Sequence, residues 1–431
     1  MKRKSASQSA FFNLRVLIGL FVVVAGVFQA LFATSGAGLS FGSRTAGSVQ
    51  IKAPERPVNP ISPRGGVQEE WVARYNGGYG PDVADAIAVD GSGNVYVTGS
   101  SIGPGTCNLA CVDYATIKYD PSGTQQWAAR YNGPASDSDQ ASAIAVDASG
   151  NVYVTGSSIG TTWPDYDYAT IKYDSSGQQQ WVARYSGPGN DLDFGNAIAV
   201  DPSGNVYVTG ASFGSGTGFD YATVKYDSSG QQQWVARYNG PGNADDEAYG
   251  IAVDASGNVY VTGYSAGSGT GNDYATIKYD SSGQEQWVAR YNGQANFNDD
   301  AAAIAVDASG NVYVAGWSVG SGSGYDYATV KYDSSGAEQW IARYDGAASV
   351  DDQSYAIAVD DSGDVCVTGY STVDAKTGLT DYTTIKYSQT PSPTPTSTAS
   401  PTPTTSPSAT PRTTPTPRPR PTPAPRPTPR Q

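Results

Sequence analysis

Six copies of one sequence unit fill the middle of this 431-residue chain. Each copy begins at the tryptophan of a W-[VAI]-A-R-Y segment, and successive tryptophans are 53 to 56 residues apart. They are Trp71, Trp127, Trp181, Trp234, Trp287 and Trp340. A fixed period of this size indicates a propeller, a solenoid or another array, because each unit must bury its apolar side chains against its neighbours.

Four short segments in every unit predict β-strands. I-A-V-D, V-Y-V-T-G, A-T-I-K-Y and W-V-A-R-Y are rich in β-branched and aromatic residues and alternate with period two. D-x-S-G-N joins the first two segments and Y-D-S-S-G-Q the last two, and both are hairpin signals in which glycine supplies a positive φ. Four antiparallel strands make one blade, so the sequence predicts an all-β, six-bladed β-propeller over residues 67–388.

The phasing of the repeats predicts how the ring closes. The region opens with a W-V-A-R-Y strand over Glu70–Tyr75 and ends with a T-T-I-K-Y strand over Thr383–Tyr387. The last blade therefore lacks its fourth strand, and the first strand has no blade of its own. We expect the N-terminal strand to pair with the last blade, which would leave no blade edge unpaired.

The unit I-A-V-D-x-S-G-N-V-Y-V-T-G…D-Y-A-T-I-K-Y-D resembles the bacterial beta-propeller repeat called SBBP over about residues 68–388. This resemblance implies the propeller fold and an exported or cell-surface protein. It implies no general activity, because the motif residues of the family are scaffold residues.

The two ends of the chain differ in composition from the repeats. A basic start, the apolar run Val16–Phe28 and the small residues after it predict a signal peptide or an N-terminal membrane anchor over residues 1–37. Regularly spaced prolines favour an extended linker over residues 38–66. Residues 389–431 are rich in Pro, Thr, Ser and Arg, which predicts a disordered tail. We expect a secreted or envelope-associated protein.

Charge and composition restrict the partners and the chemistry. The formal charge is −14, and residues 66–388 hold 13 Lys and Arg against 39 Asp and Glu. An acidic propeller argues against nucleic acid as a partner, and we expect membrane contact only through the N-terminal hydrophobic segment. The sequence contains no histidine, which excludes imidazole catalysis, and its three cysteines are too few for a disulfide scaffold.

One aspartate stands five residues before the isoleucine of I-A-V-D in every unit. These six rim aspartates are Asp82, Asp139, Asp193, Asp246, Asp299 and Asp352. Six carboxylates around the mouth of a central channel would suit a hard cation such as Ca²⁺. Alternatively, each carboxylate caps the turn that enters its own blade by accepting hydrogen bonds from local amides. We expect that no cofactor is required, and Ca²⁺ is the candidate if one binds.

The loops between the second and third strands, and the links between blades, vary most from copy to copy. We expect a ligand on this variable rim, because loops on a rigid scaffold commonly carry binding sites. Aromatic residues outside the repeated positions fall there: Trp163, Phe213, Tyr264, Trp317, Tyr325 and Tyr370. Together with nearby acids they suit sugar binding by stacking, or alternatively they pack beneath the glycine-rich loops.

The cysteines and the recurrent basic residues have structural interpretations. Cys107 and Cys111 lie four residues apart in the first unit and would form a loop-closing disulfide in an oxidising compartment. Cys366 replaces the tyrosine of V-Y-V in the last unit, where we expect a buried thiol. The Arg of W-V-A-R-Y and the Lys of I-K-Y recur, which predicts salt bridges with acids on the blade surfaces.

These observations favour a non-enzymatic binding or adhesion module, monomeric, whose ligand is a surface glycan or a protein at the variable rim. A catalytic site needs an acid, a base and an electrophile in different environments, whereas these carboxylates repeat from blade to blade. We therefore predict that the protein is not an enzyme. Two alternatives stay open: a Ca²⁺-dependent hydrolase or lyase that uses the carboxylates, and an envelope spacer without a ligand.

Overall fold

A computed structural model describes residues 69–103, 111–160, 165–189, 191–322 and 324–389. Within these ranges the regular structure is entirely β and consists of 23 strands. No helix in these ranges is long and apolar enough to cross a membrane.

The strands form six antiparallel sheets, which we number as blades 1 to 6 in chain order. Blade 1 contains β1 (Asp82–Val89), β2 (Val95–Ile102), β3 (Val112–Tyr119) and β4 (Gln125–Tyr131). Blade 2 contains β5 (Asp139–Val146), β6 (Val152–Ile159), β7 (Tyr166–Tyr173) and β8 (Gln179–Tyr185). Blade 3 contains β9 (Asp193–Val200), β10 (Val206–Gly214), β11 (Gly218–Tyr226) and β12 (Gln232–Tyr238).

Blade 4 contains β13 (Asp246–Val253), β14 (Val259–Ala266), β15 (Asn272–Tyr279) and β16 (Glu285–Tyr291). Blade 5 contains β17 (Asp299–Val306), β18 (Val312–Val319), β19 (Tyr325–Tyr332) and β20 (Glu338–Tyr344). Blade 6 has three strands, β21 (Asp352–Val359), β22 (Val365–Asp374) and β23 (Leu379–Tyr387). The first strands of successive blades contact one another, so they are the innermost strands. The predicted all-β architecture of six repeated antiparallel sheets is confirmed.

The aspartate of I-A-V-D organises the first hairpin of each blade, as predicted. In blade 1, Asp90 accepts hydrogen bonds from the amides of Ser92 and Asn94 at 2.9 and 3.0 Å. Its second oxygen accepts from the Asn94 side chain at 2.7 Å and from the Tyr96 hydroxyl at 2.9 Å. Gly93 adopts a φ of 82°, which permits the tight turn. Blades 2 to 5 repeat these contacts.

Tyrosines hold neighbouring blades together. The Tyr168 side chain is fully buried, and its hydroxyl donates to the backbone oxygen of Ala222 in the next blade at 3.2 Å. Trp181 packs between Tyr153 of its own blade and blade 3, and donates to the backbone oxygen of Ser228 at 3.2 Å. Because one unit supplies half of each contact and the next unit the other half, the blades form a continuous core.

The recurrent basic residues differ from each other. Arg184 pairs with Asp167 of its own blade at 2.8 Å, and four other blades repeat this predicted salt bridge. The prediction that the recurrent lysines form salt bridges with acids is wrong for blades 1 to 5. The Lys172 ammonium lies 5.2 Å from the centre of the Tyr153 ring and donates to the Ser228 backbone oxygen, because the buried tyrosine offers it an aromatic face. A lysine–carboxylate pair occurs in blade 6, where Lys386 contacts Asp360 and Asp364.

The predicted strand Glu70–Tyr75 is not a strand in the structure. It nevertheless packs on blade 1 as the fourth strand of a preceding blade would. Trp71 donates to the Pro121 backbone oxygen at 3.1 Å, and Arg130 donates to the Tyr75 hydroxyl at 3.4 Å. A strand needs a ladder partner, and in the structure β23 does not pair with this segment.

The predicted ring closure is not shown by the described residues. Tyr382 of blade 6 is 97% exposed, and Ile87 of blade 1 is 68% exposed, although their counterparts between other blades are covered. Cys366 is likewise exposed, so the prediction of a buried thiol is wrong. Cys366 occupies the position that Tyr96 has in blade 1, and blade 2 buries Tyr96. Among the described residues, no blade covers the corresponding face of blade 6, so Cys366 stays exposed.

Candidate functional site

The rim aspartates are the first residues of the innermost strands rather than residues of the preceding turns. The strands begin there because these residues already pair with the second strand, as Asp246 does with Ser265. A β-bulge between Ala248 and Gly250 separates this first part of the strand from the I-A-V-D segment. Each carboxylate accepts a hydrogen bond from a glycine amide in the link before its own blade, at 2.6 to 2.9 Å. Asp82 also accepts from Ser101 of β2. These contacts agree with the capping interpretation, and the metal site on the rim aspartates stays a prediction.

An arginine network lies beside each rim aspartate in blades 1 to 5. Arg237 donates to Asp220 at 2.9 Å, to the Ser212 backbone oxygen at 2.9 Å and to the Tyr185 hydroxyl of the preceding blade at 3.0 Å. Burial raises the pKa of the rim aspartate Asp193 to about 6, and the nearby Asp167 adds to this shift. The network is repeated from blade to blade, which is typical of a structural role, although one buried oxygen of Asp193 and one of Asp220 accept no hydrogen bond within the described residues.

Three acidic side chains meet between blades 5 and 6. Oxygen atoms of Asp326, Asp345 and Asp352 lie within 4.8 Å of one another, and this is the one such acidic group in the part of the chain that the structure describes. Asp345 stands where blade 4 has Asn292. Burial raises the pKa of Asp345, and Asp326 raises it further. Arg343 donates to Asp326 at 2.8 Å, so a cation already compensates part of this charge. Asp352 is the only rim aspartate in the group.

The repeat symmetry breaks on the two innermost strands of blades 4 to 6. The sixth residue of the second strand is small in blades 1 to 3 and aromatic in blades 4 to 6. In chain order it is Ser100, Ser157, Ala211, Tyr264, Trp317 and Tyr370. Directly opposite, on the first strand, lie Val83, Gln140, Phe194, Glu247, Asp300 and Gln353. Since blades 1 to 3 form the same sheets with small residues, the fold does not require these aromatic rings.

We call the resulting cluster the aromatic patch. It consists of Tyr249, Tyr264, Trp317, Tyr355 and Tyr370 with the carboxylates Glu247 and Asp300. The ring centres of Tyr249 and Tyr264 are 5.9 Å apart in blade 4. Those of Trp317 and Tyr355 are 5.7 Å apart across the boundary between blades 5 and 6, and Tyr370 lies 6.0 Å from Tyr355. All five rings are half-buried, so each retains some accessible surface.

Hydrogen bonds fix the two carboxylates of the patch. Glu247 accepts from the Tyr249 hydroxyl at 2.7 Å. Asp300 accepts from the indole of Trp317 at 3.1 Å and from the Asn272 side chain at 3.5 Å. Burial raises the pKa of Asp300 to about 7, and the negative charges of Asp299 and Glu247 act in the same direction. The patch therefore combines aromatic faces with oriented acceptors in a negative environment.

Of the six predicted ligand-binding residues, Trp317 and Tyr370 both pack against the Tyr355 ring, and Tyr264 lies on blade 4, where the charge of Asp300 in blade 5 acts on it. They lie within strands and not in loops, because the second strand extends to the variable rim. Tyr325 begins β19 near the patch, and its pKa is raised by burial and then by Asp300. Phe213 lies apart in blade 3, where its ring packs 5.4 Å from that of Phe219.

Other predicted positions lie elsewhere or cannot be placed. Trp163 and Cys107 are outside the described residues, so the disulfide with Cys111 stays a prediction. Sequence reasoning missed Tyr249 and Tyr355. Both occupy the fourth position of the first strand, where blades 2 and 5 have Ser142 and Ala302, and a position-by-position comparison of the six units would have found them.

The model of the SBBP beta-propeller repeat matches residues 70–105, 126–161, 180–215 and 233–272. No curated protein matches the sequence significantly. Among solved structures, a calcium-binding protein, regucalcin, from Agrobacterium tumefaciens is 15% identical, with a TM-score of 0.37 over 70% of this chain and 90% of that one. A protein of unknown function from Dyadobacter fermentans is 12% identical, with a TM-score of 0.41 over 70% of this chain and 94% of that one.

A eukaryotic initiation factor is 9% identical, with a TM-score of 0.35 over 61% of this chain. The chain spans about half of that factor, 55% of its length. Structural similarities as distant as these three do not bear on ligand or activity. The repeated sequence unit, the six antiparallel sheets and the four matches to the repeat model between residues 70 and 272 are consistent with a repeat protein of the SBBP beta-propeller type.

Proposed function

We propose that this protein is an exported, non-enzymatic binding scaffold that holds a carbohydrate at the aromatic patch. The observation that carries the proposal is the break in repeat symmetry at the sixth position of the second strand. Tyr264, Trp317 and Tyr370 occupy it in three successive blades, whereas the other three blades have serine or alanine. A residue that the fold does not need, repeated on adjacent blades, is best explained by a ligand that spans those blades.

The chemistry of the patch suits a sugar. The apolar faces of pyranose rings stack on aromatic rings, and hydroxyl groups then donate to acceptors at the edge of the platform. Trp317 and Tyr355 supply a platform across a blade boundary, with ring centres 5.7 Å apart. Asp300 and Glu247 supply acceptors that tyrosine and tryptophan side chains already orient. Repeated contacts between blades hold this arrangement rigid, which lowers the entropy cost of binding.

A glycan array followed by calorimetry tests the proposal. For the best glycan, Trp317→Ala should weaken binding about fivefold or more, since stacking on an aromatic ring contributes on the order of 1 kcal/mol or more. Phe219→Ala is the matched control, because it removes an aromatic ring from blade 3 outside the patch, and its affinity should stay unchanged. Absence of binding to any glycan, or equal loss in the two variants, would overturn the proposal.

We also propose that the ring closes, with the segment that contains Trp71 as the fourth strand of blade 6. Two observations support this. Trp71 contacts blade 1 as Trp127 contacts blade 2, with indole hydrogen bonds of 3.1 and 3.2 Å to equivalent backbone oxygens. The uncovered faces of blades 6 and 1 also carry the side chains that meet between other blades, Tyr382 on one and Ile87 on the other. Closure would cover both apolar faces.

A further inference from the structure

We propose that the sugar bound at the aromatic patch carries a protonated amino group, as an oligosaccharide of glucosamine units does. This inference rests on the proposed function and adds the chemical class of the ligand. It follows from the position of two carboxylates, Glu247 and Asp300, among the aromatic rings of the patch.

Acidic side chains occur at this repeat position only where the rings surround it. The second residue of the innermost strand is acidic in blade 4 (Glu247) and blade 5 (Asp300). In blades 1, 2, 3 and 6 it is Val, Gln, Phe and Gln. The sheets therefore form without a charge there. Burying a carboxylate costs free energy unless a partner compensates its charge, so its presence in two adjacent blades points to a ligand.

The surroundings of Asp300 do not supply that compensation. Its two hydrogen-bond donors, Trp317 and Asn272, are neutral. The charged groups that act on it most strongly, Asp299 and Glu247, are both negative. A neutral sugar would leave the pKa of Asp300 raised, whereas an ammonium group would stabilise the charged carboxylate and would form charge-assisted hydrogen bonds with it.

The aromatic rings favour the same ligand. The face of a tyrosine or tryptophan ring attracts a cation within about 6 Å of its centre. This protein uses that interaction between its own side chains, since Lys172 lies 5.2 Å from the centre of the Tyr153 ring and four other blades repeat the pair. The aromatic rings and carboxylates of the patch can offer the same kind of contact to a cation that comes from the ligand.

The net negative charge of the whole propeller also favours a cationic ligand. Residues 66–388 carry three times as many acidic as basic side chains. A cationic oligosaccharide would be attracted to this surface over a distance of about one Debye length, which is about 8 Å at physiological ionic strength. The preference for a cation should therefore weaken as salt is added.

The test compares two probes that differ only in charge and acetylation. A glucosamine tetramer and its fully N-acetylated form are titrated into the full-length protein at pH 7 by calorimetry. We expect the glucosamine tetramer to bind about tenfold to a hundredfold more tightly. Asp300→Asn should reduce this preference to less than about threefold, because it weakens binding of the glucosamine tetramer more than binding of the acetylated tetramer.

A control variant separates local from overall charge. Asp361→Asn removes one exposed carboxylate from the hairpin turn of blade 6, outside the patch, and should keep the full preference. Equal binding of both tetramers, or an equal effect of the two variants, would overturn the inference and leave the proposed function intact. Absence of binding by either tetramer and by every array glycan would overturn both. Thermal melting checks that each variant folds.

Discussion

Tyr382 gives the sharpest test of how the propeller closes. In blades 1 to 5 the equivalent tyrosine hydroxyl donates to a backbone oxygen of the next blade at 3.1 to 3.3 Å. Tyr382 is the sixth member of this series and is 97% exposed in the structure. Ring closure would bury it against blade 1, next to Ala115, in the way that Tyr168 is buried against Ala222.

The two arrangements predict different free energies of unfolding. Truncation of a buried aromatic side chain costs about 3–5 kcal/mol, so Tyr382→Ala should be strongly destabilising in a closed ring. Loss of the hydroxyl alone, in Tyr382→Phe, should cost about 1 kcal/mol. If the ring is open, the Tyr382 side chain stays 97% exposed, and the free energy of unfolding of both variants should lie within about 0.5 kcal/mol of the wild-type value. The matched control is Tyr168→Phe, which removes a 3.2 Å hydrogen bond between blades and should cost about 1 kcal/mol.

Urea titration followed by tryptophan fluorescence measures these free energies. We expect Tyr382→Phe to match Tyr168→Phe and Tyr382→Ala to lose several times more. Labelling of Cys366 with a thiol reagent provides a second measurement, because closure would cover this residue and confine labelling to the unfolded protein. Two results together would refute the closure proposal. Tyr382→Ala would leave the free energy of unfolding unchanged while Tyr168→Phe lowers it, and Cys366 would react with the thiol reagent at once in the native state.

Two further predictions concern ions and protons. The melting midpoint should be the same in excess Ca²⁺ and in EDTA, because each rim aspartate already accepts an amide hydrogen bond from the link before its own blade at 2.6 to 2.9 Å. A midpoint several degrees higher in Ca²⁺ would instead indicate a cation site, and Asp326, Asp345 and Asp352 would be the first residues to mutate. Burial and the charges of Asp299 and Glu247 raise the pKa of Asp300 to about 7 in the folded protein. At Asp300 the folded state therefore binds a proton more readily than the unfolded state, and the contribution of this group to stability falls as pH rises from about 4 to 7. Asp300→Asn should be more stable than the wild type at pH 8 and no more stable at pH 4, which urea titration at both values would check; equal curves at both would contradict the raised pKa.

The local structure of this protein could be predicted from its sequence because the information is contained within each unit. Alternation of β-branched and aromatic residues marked the strands, and the D-x-S-G turn marked the first hairpin, where Asp90 accepts the expected hydrogen bonds from the amides of Ser92 and Asn94. Predictions that depended on neighbours were less accurate. The recurrent lysines of blades 1 to 5 lie over tyrosine rings and not beside acids. The innermost strands begin five residues earlier than predicted, because the second strand continues the ladder.

The candidate site shows where sequence reasoning ends. Tyr264 and Trp317 are 53 positions apart, and nothing in the repeat itself says that Trp317 meets Tyr355 of the next blade and Asp300 of its own. The sequence alone therefore determined six repeated antiparallel sheets and the acidic character of the propeller. Only the tertiary structure decided which odd residues converge, because the packing of one blade on the next sets which side chains from different units come within contact distance.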